Sequence, residues 1–133
     1  MTACVTSSSG VDLPSEEVSV GDTGLEVWVV DDPGERSQGL RGVTGLPDDV
    51  DGMLFVFSPA TTPTFIMEDT LIPLDLWFFD EAGDLIGWEG MVPCETDPCT
   101  RYPAPGVVGW ALETPQGDYE FEIGDVLTTS GSD

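Results

Sequence analysis

The chain has 133 residues, 40% apolar and 9% aromatic, enough for one hydrophobic core and too short for two. It carries 26 Asp and Glu against three Arg, with no Lys and no His, for a net charge of −23; such a field repels nucleic acid and anionic lipid, because phosphate binding rests on Lys and Arg displacing counterions. The same absences remove imidazole bases, His-ligated zinc, Schiff bases and the phosphate-loop lysine, so any catalysis would rest on carboxylates, Cys, Tyr, Arg or an oxygen-held metal.

Residues 1–17 read as a flexible tether. Small residues ahead of Cys4 and a Ser-rich run after it resemble the end of a lipoprotein signal, with Cys4 as the lipid-bearing residue, although no apolar region precedes it. The competing reading is an ordinary cysteine in a polar tail. No apolar run is long enough to span a bilayer, which leaves a lipid on Cys4 as the sole expected membrane contact.

Residues 18–128 read as one β-rich domain and 129–133 as a disordered tail. Residues 25–30 alternate and are β-branched, which predicts a strand. Asp32 then offers a helix cap, Pro33 fits a first helical turn and Glu35 lies three residues after the cap, predicting a short helix over 33–41. Strands follow at 53–57, after the acidic turn Asp48-Asp49-Val50-Asp51-Gly52, and at 64–67, set off by Pro59 and Pro63. Residues 74–79 lead through Asp80 to Asp84 into 85–88 as a hairpin, and 107–113, 119–123 and 126–128 complete the set. Short strands at close spacing, with Gly and Pro turns, predict a mainly β fold: a sandwich or partly closed barrel, mostly antiparallel, with one short helix.

Cys94 and Cys99 flank Glu-Thr-Asp-Pro, a stretch that turns the chain back and brings their Cα atoms within the roughly 7 Å a disulfide tolerates. A metal site would need two more ligands, and thioredoxin-type chemistry would need a closer pair. A structural disulfide is expected, as in an exported protein of the cell envelope or outside it.

The segments "DDPGERSQGLRG", "GMLFVF", "FIMEDTLIPLDLWFFDEAGDLI", "PCETDPCTRYP" and "ALETPQG…IGD" together resemble the domain-of-unknown-function 192 family, in order and spacing, over residues 25–126. The resemblance implies a compact β-rich domain with one short helix, often exported, and adds no substrate. Its pattern falls on Glu35, Arg36, Gly39 and Leu40; on Gly52, Met53, Phe55 and Phe57; on Phe65, Met67, Thr70, Pro73, Leu74 and Asp75; and on Cys94, Cys99 and Glu113. Ile66, Glu68 and Asp69 stand where the family usually shows Trp, Lys and Asn, so a cation has become a carboxylate.

The polar candidates are therefore Glu35, Arg36, Asp69, Thr70, Asp75 and Glu113. Arg36 either offers a fork to a ligand carboxylate or pairs with Asp75 or Glu113 to lock the helix onto the sheet. Alternation sets Asp75 on the face of Trp77 and Phe79, opposite Leu74, Leu76 and Phe78, where it either accepts from backbone amides or Arg36, or acts with Asp69 and Thr70 as a general acid or cation ligand. Met53, Met67, Phe55, Phe57, Phe65, Trp77 and Trp110 are core or the lining of an apolar pocket. The acidic turns lack EF-hand spacing, and no cofactor is expected. The expectation is an exported or lipid-tethered monomer that binds a small molecule or a protein partner, suited by its acidity to high salt. The alternatives are a carboxylate- or metal-dependent hydrolase built on Asp75, Asp69 and Glu35, and a structural accessory domain.

Overall fold

The computed structural model describes residues 14–129. Among these residues nine strands and one α-helix follow one another as β1 (Ser15–Val20), β2 (Thr23–Val30), α1 (Pro33–Gln38), β3 (Gly52–Thr61), β4 (Thr64–Ile66), β5 (Leu74–Phe79), β6 (Leu85–Met91), β7 (Arg101–Pro103), β8 (Val108–Pro115) and β9 (Leu127–Thr129). Seven strands form one sheet in the order β9-β1-β2-β3-β8-β5-β6, and β4 pairs with β7 in a separate ribbon. All neighbours are antiparallel except β2 and β3. A parallel pair cannot be joined by a tight turn, so the chain between β2 and β3 must cross over a face of the sheet; this crossover carries α1.

Both faces of the sheet are covered. On one, Val30, Phe55, Leu76, Phe78 and Ala111 pack beneath Leu40, Val43 and Val50 of the crossover and Phe65 and Tyr102 of the ribbon. Phe65 meets Phe55 edge-on at 5.2 Å and Phe78 at 6.0 Å, the geometry that aromatic quadrupoles favour. On the other, Val18, Leu25, Leu54, Trp77, Phe79, Leu112 and Leu127 form a second core, into which the sheet curls. The curl brings the two sheet margins together at one end. Leu127 donates its N–H to the Gly83 carbonyl, and Leu85 donates to the Asp125 carbonyl, giving a half-barrel.

The helix starts as the sequence predicts: the Asp32 carboxylate accepts the Glu35 N–H at 2.8 Å and Pro33 opens the first turn. It ends at Gln38 rather than at residue 41, because Gly39 takes a positive φ of 48° and returns its N–H to the Glu35 carbonyl. Cys94 and Cys99 form the expected disulfide, with Cα atoms 5.4 Å apart.

Two strands escape the sequence reading and one predicted strand is absent. Residues from Ser15 already pair with β2, although the tether was expected to reach residue 17; Val18 and Val20 fill the second core. Arg101–Pro103 pairs with β4. Residues 119–123 form no strand: Phe121 instead packs on Trp77 at 4.8 Å with Tyr119 stacked behind it. Cys4 and residues 130–133 lie outside the described residues. No described helix is long and apolar enough to cross a membrane.

Candidate functional site

The crossover and the β4/β7 ribbon stand apart over the first core, and between them runs a cleft of about 400 Å³. Phe55, Phe57 and Phe65 give it an apolar lining, Arg36, Gln38, Arg41 and Thr70 give it polar walls, and Glu113 lies at its floor. Two of the protein's three cations thus face one cleft.

Arg36 is held by the backbone. Its Nη1 donates to the carbonyls of Asp31 and Val56, each at 3.0 Å, and its guanidinium carbon lies 5.1 Å from the centre of the Phe57 ring. Val56 is where the register of β3 on β8 shifts, and the arginine takes its carbonyl at that irregularity. The expected pairing of Arg36 with Asp75 or Glu113 does not occur. Among the described residues no carboxylate pairs with Arg36, whereas Arg41 lies 3.6 Å from Glu68 and 3.7 Å from Asp69.

Glu113 occupies the middle of β8, opposite Met53 of β3 and Leu76 of β5, on the face it shares with Ala111. It is 5% exposed, and among the described residues its carboxyl has no hydrogen-bond or ion-pair partner. Burial away from water penalises the charged form and pushes its pKa from 4.5 to about 8, so at neutral pH it holds its proton and presents an O–H. A buried polar group left unsatisfied in this way is uncommon in native proteins and costs free energy unless something completes it.

The other candidates lie elsewhere. Asp75 is buried on the opposite face of the sheet, where its Oδ2 accepts the Gly117 N–H at 3.0 Å, beside the Gln116 amide that bridges the Leu74 and Met91 carbonyls. Asp75→Asn should therefore lower the stability by roughly 1–3 kcal/mol, because it puts a buried NH2 in place of one carboxyl oxygen beside the Gly117 N–H and the Gln116 amide, where a donor has no acceptor to meet. An unchanged Tm would contradict that role. Glu35 belongs to the helix cap, its Oε1 accepting the Asp31 N–H. The carboxylates of Asp31, Asp32 and Glu35 do converge within 4.8 Å, but those of Asp32 and Glu35 accept these capping bonds. Asp69 is exposed beside Arg41. The turn carboxylates likewise fold the chain, Asp80 accepting from Ala82 and Asp84, and Asp51 from Glu26.

Of the six residues singled out in the sequence, the fold thus brings Arg36, Thr70 and Glu113 to one cleft and separates Glu35, Asp69 and Asp75 from it. Trp77 belongs to the second core and Trp110 packs against it, away from the cleft. Arg41 escaped notice, although a chain with three cations makes each of them conspicuous. A second recess of about 510 Å³, lined by Trp77, Trp88, Tyr119 and Phe121, opens at the other core and has no cation in its walls.

The sequence pattern of DUF192, described as Uncharacterized ACR, matches residues 16–129. The chain belongs to the DUF192 family. Two crystal structures share the fold. One is of a "putative transcription regulator" from Sinorhizobium meliloti 1021, 27% identical, covering 91% of this chain and 98% of that one with a TM-score of 0.80. The other is of a protein of unknown function from Novosphingobium aromaticivorans DSM 12444, 25% identical, covering 95% of this chain and 99% of that one with a TM-score of 0.78. No curated protein matches the sequence. Of the DUF192 positions named from the sequence, Arg36, Gly39, Leu40, Phe55, Phe57, Phe65, Thr70 and Glu113 line the cleft, whereas Glu35, Gly52, Met53, Met67, Pro73, Leu74, Asp75, Cys94 and Cys99 do not.

Proposed function

We propose that this domain binds a small molecule in the cleft between α1 and the β4/β7 ribbon and performs no chemistry on it. The observation that carries this reading is Glu113: a buried carboxyl that lines a cleft whose walls also hold Arg36, neither of them with an ion-pair partner among the described residues. A ligand with a polar end would complete both groups, and its apolar part would lie on the phenylalanines. The hydrolase reading required Asp75, Asp69 and Glu35 to act together; their separation favours binding over catalysis.

The Cys94–Cys99 bridge favours an oxidising compartment, hence an exported or envelope-tethered monomer, and the charge of −23 suits high salt, where self-repulsion is screened. A chain with three arginines and no lysine is poorly equipped for DNA, so the role named for the S. meliloti relative is not extended to it.

The test is a thermal-shift screen of organic acids, amines, sugars and nucleotides at molar salt, run on the wild type and on Glu113→Leu, which keeps the site filled while removing the polar group. A ligand at a hundred times its Kd should stabilise the wild type by about 2.7 kcal/mol and leave Glu113→Leu unmoved. The ligand should be recovered unchanged by NMR. Hits that persist in Glu113→Leu, or none from any class, would overturn the reading.

A further inference from the structure

We infer that the cleft takes a small organic carboxylate with an apolar body, its anionic end held between the guanidinium of Arg36 and the carboxyl of Glu113, its body against Phe55 and Phe65. The inference rests on the binding reading above and names the ligand class for the same site.

Three observations converge on an anion. First, in a chain this acidic no carboxylate among the described residues pairs with Arg36, although it is half-buried in the cleft wall and held in place by two backbone carbonyls that do not neutralise its charge. Second, Glu113 and Arg36 line one cleft of about 400 Å³, and among the described residues no ion pair joins them. Third, the protonated Glu113 presents an O–H donor, and a ligand carboxylate is the strong acceptor that matches both it and a guanidinium.

The surroundings of Glu113 add no competing base. Arg36 lines the same cleft from α1 and Arg41 from the segment after α1, with Glu68 and Asp69 engaged beside Arg41; Met53 and Leu76, opposite Glu113 on β3 and β5, and Phe65 of β4 are apolar. Binding is consequently linked to one proton. Below pH 8 Glu113 donates to the ligand; above it, two carboxylates meet in a buried site and repel. An organic amine would show the reverse, binding more tightly once Glu113 ionises.

The experiment is isothermal titration of the full domain with hydrocinnamate, its amide and phenethylamine at pH 7 and pH 9. Hydrocinnamate keeps its charge across this range, and the Glu113→Gln variant isolates the part of the change that belongs to Glu113. Hydrocinnamate should bind the wild type about tenfold more weakly at pH 9 than at pH 7, as expected for one required proton on a group titrating near 8. Glu113→Gln retains a donor and should bind with no pH dependence. Arg36→Gln, checked for folding by circular dichroism, should lose at least tenfold at both pH values. Tighter binding of phenethylamine, strengthening toward pH 9, would overturn the inference and leave the small-molecule reading standing. Hydrocinnamate that fails to bind, or whose affinity is flat with pH in the wild type, would also sink it, and a broad screen without hits would take the binding reading with it.

Discussion

Glu113→Gln should stabilise the protein at pH 9 and leave it unchanged near pH 4.5. In the folded wild type burial holds the proton on Glu113 up to about pH 8, whereas the unfolded chain releases it near 4.5. Between these values the folded state binds one more proton than the unfolded state, so stability falls with rising pH by ~1.4 kcal/mol per unit. The penalty is absent below 4.5, complete above about 8, and on the order of 5 kcal/mol in all. Glutamine has no proton to lose and escapes it. Urea unfolding of both proteins at pH 5, 7 and 9 should give midpoints that diverge as the pH rises. Parallel midpoints would mean that Glu113 is solvated or partnered, and would remove the ground for assigning it a ligand.

Gly52→Ala should cost roughly 2–4 kcal/mol, an overpacking loss with no flexible side chain to absorb it. A Cβ on Gly52 would run into the carbonyl oxygen of Glu113 and come within 3.1 Å of the Thr114 methyl. Neither strand can retreat, because Met53 is registered on Glu113 and β8 is locked to β5 on its far side. Gly45, with open space around its Cβ position, is the control, and Gly45→Ala should stay within about 0.5 kcal/mol of the wild type. Equal unfolding midpoints for the two variants would show that β3 and β8 can part at the point where they fix Glu113 in the cleft floor.

What the sequence conveyed was local, and what it withheld depends on which strands become neighbours. The cap at Asp32, the disulfide at Cys94 and Cys99 and the alternation that turns Asp75 toward Trp77 all follow from residues a few positions apart. Residues 119–123 alternate polar and apolar as a strand would, yet Phe121 is taken up by Trp77 of the second core and no ladder forms. Arg36 finds the Val56 carbonyl only because β3 slips register on β8, a strand more than forty residues further on. For Glu113, the fact of burial was legible, since it shares a face with Ala111; that no partner would reach it required β3, β8 and β5 to be side by side.

The pairing of β9 with β1, Leu127 against Val20 and Thr129 against Val18, means that the backbone enters and leaves the described domain at adjacent points on one margin of the sheet. Such a unit can be spliced into a surface loop of a host protein, or circularly permuted, without stretching either connection. Suspended from that margin, it would present the α1 cleft independently of whatever lies on either side of it in sequence.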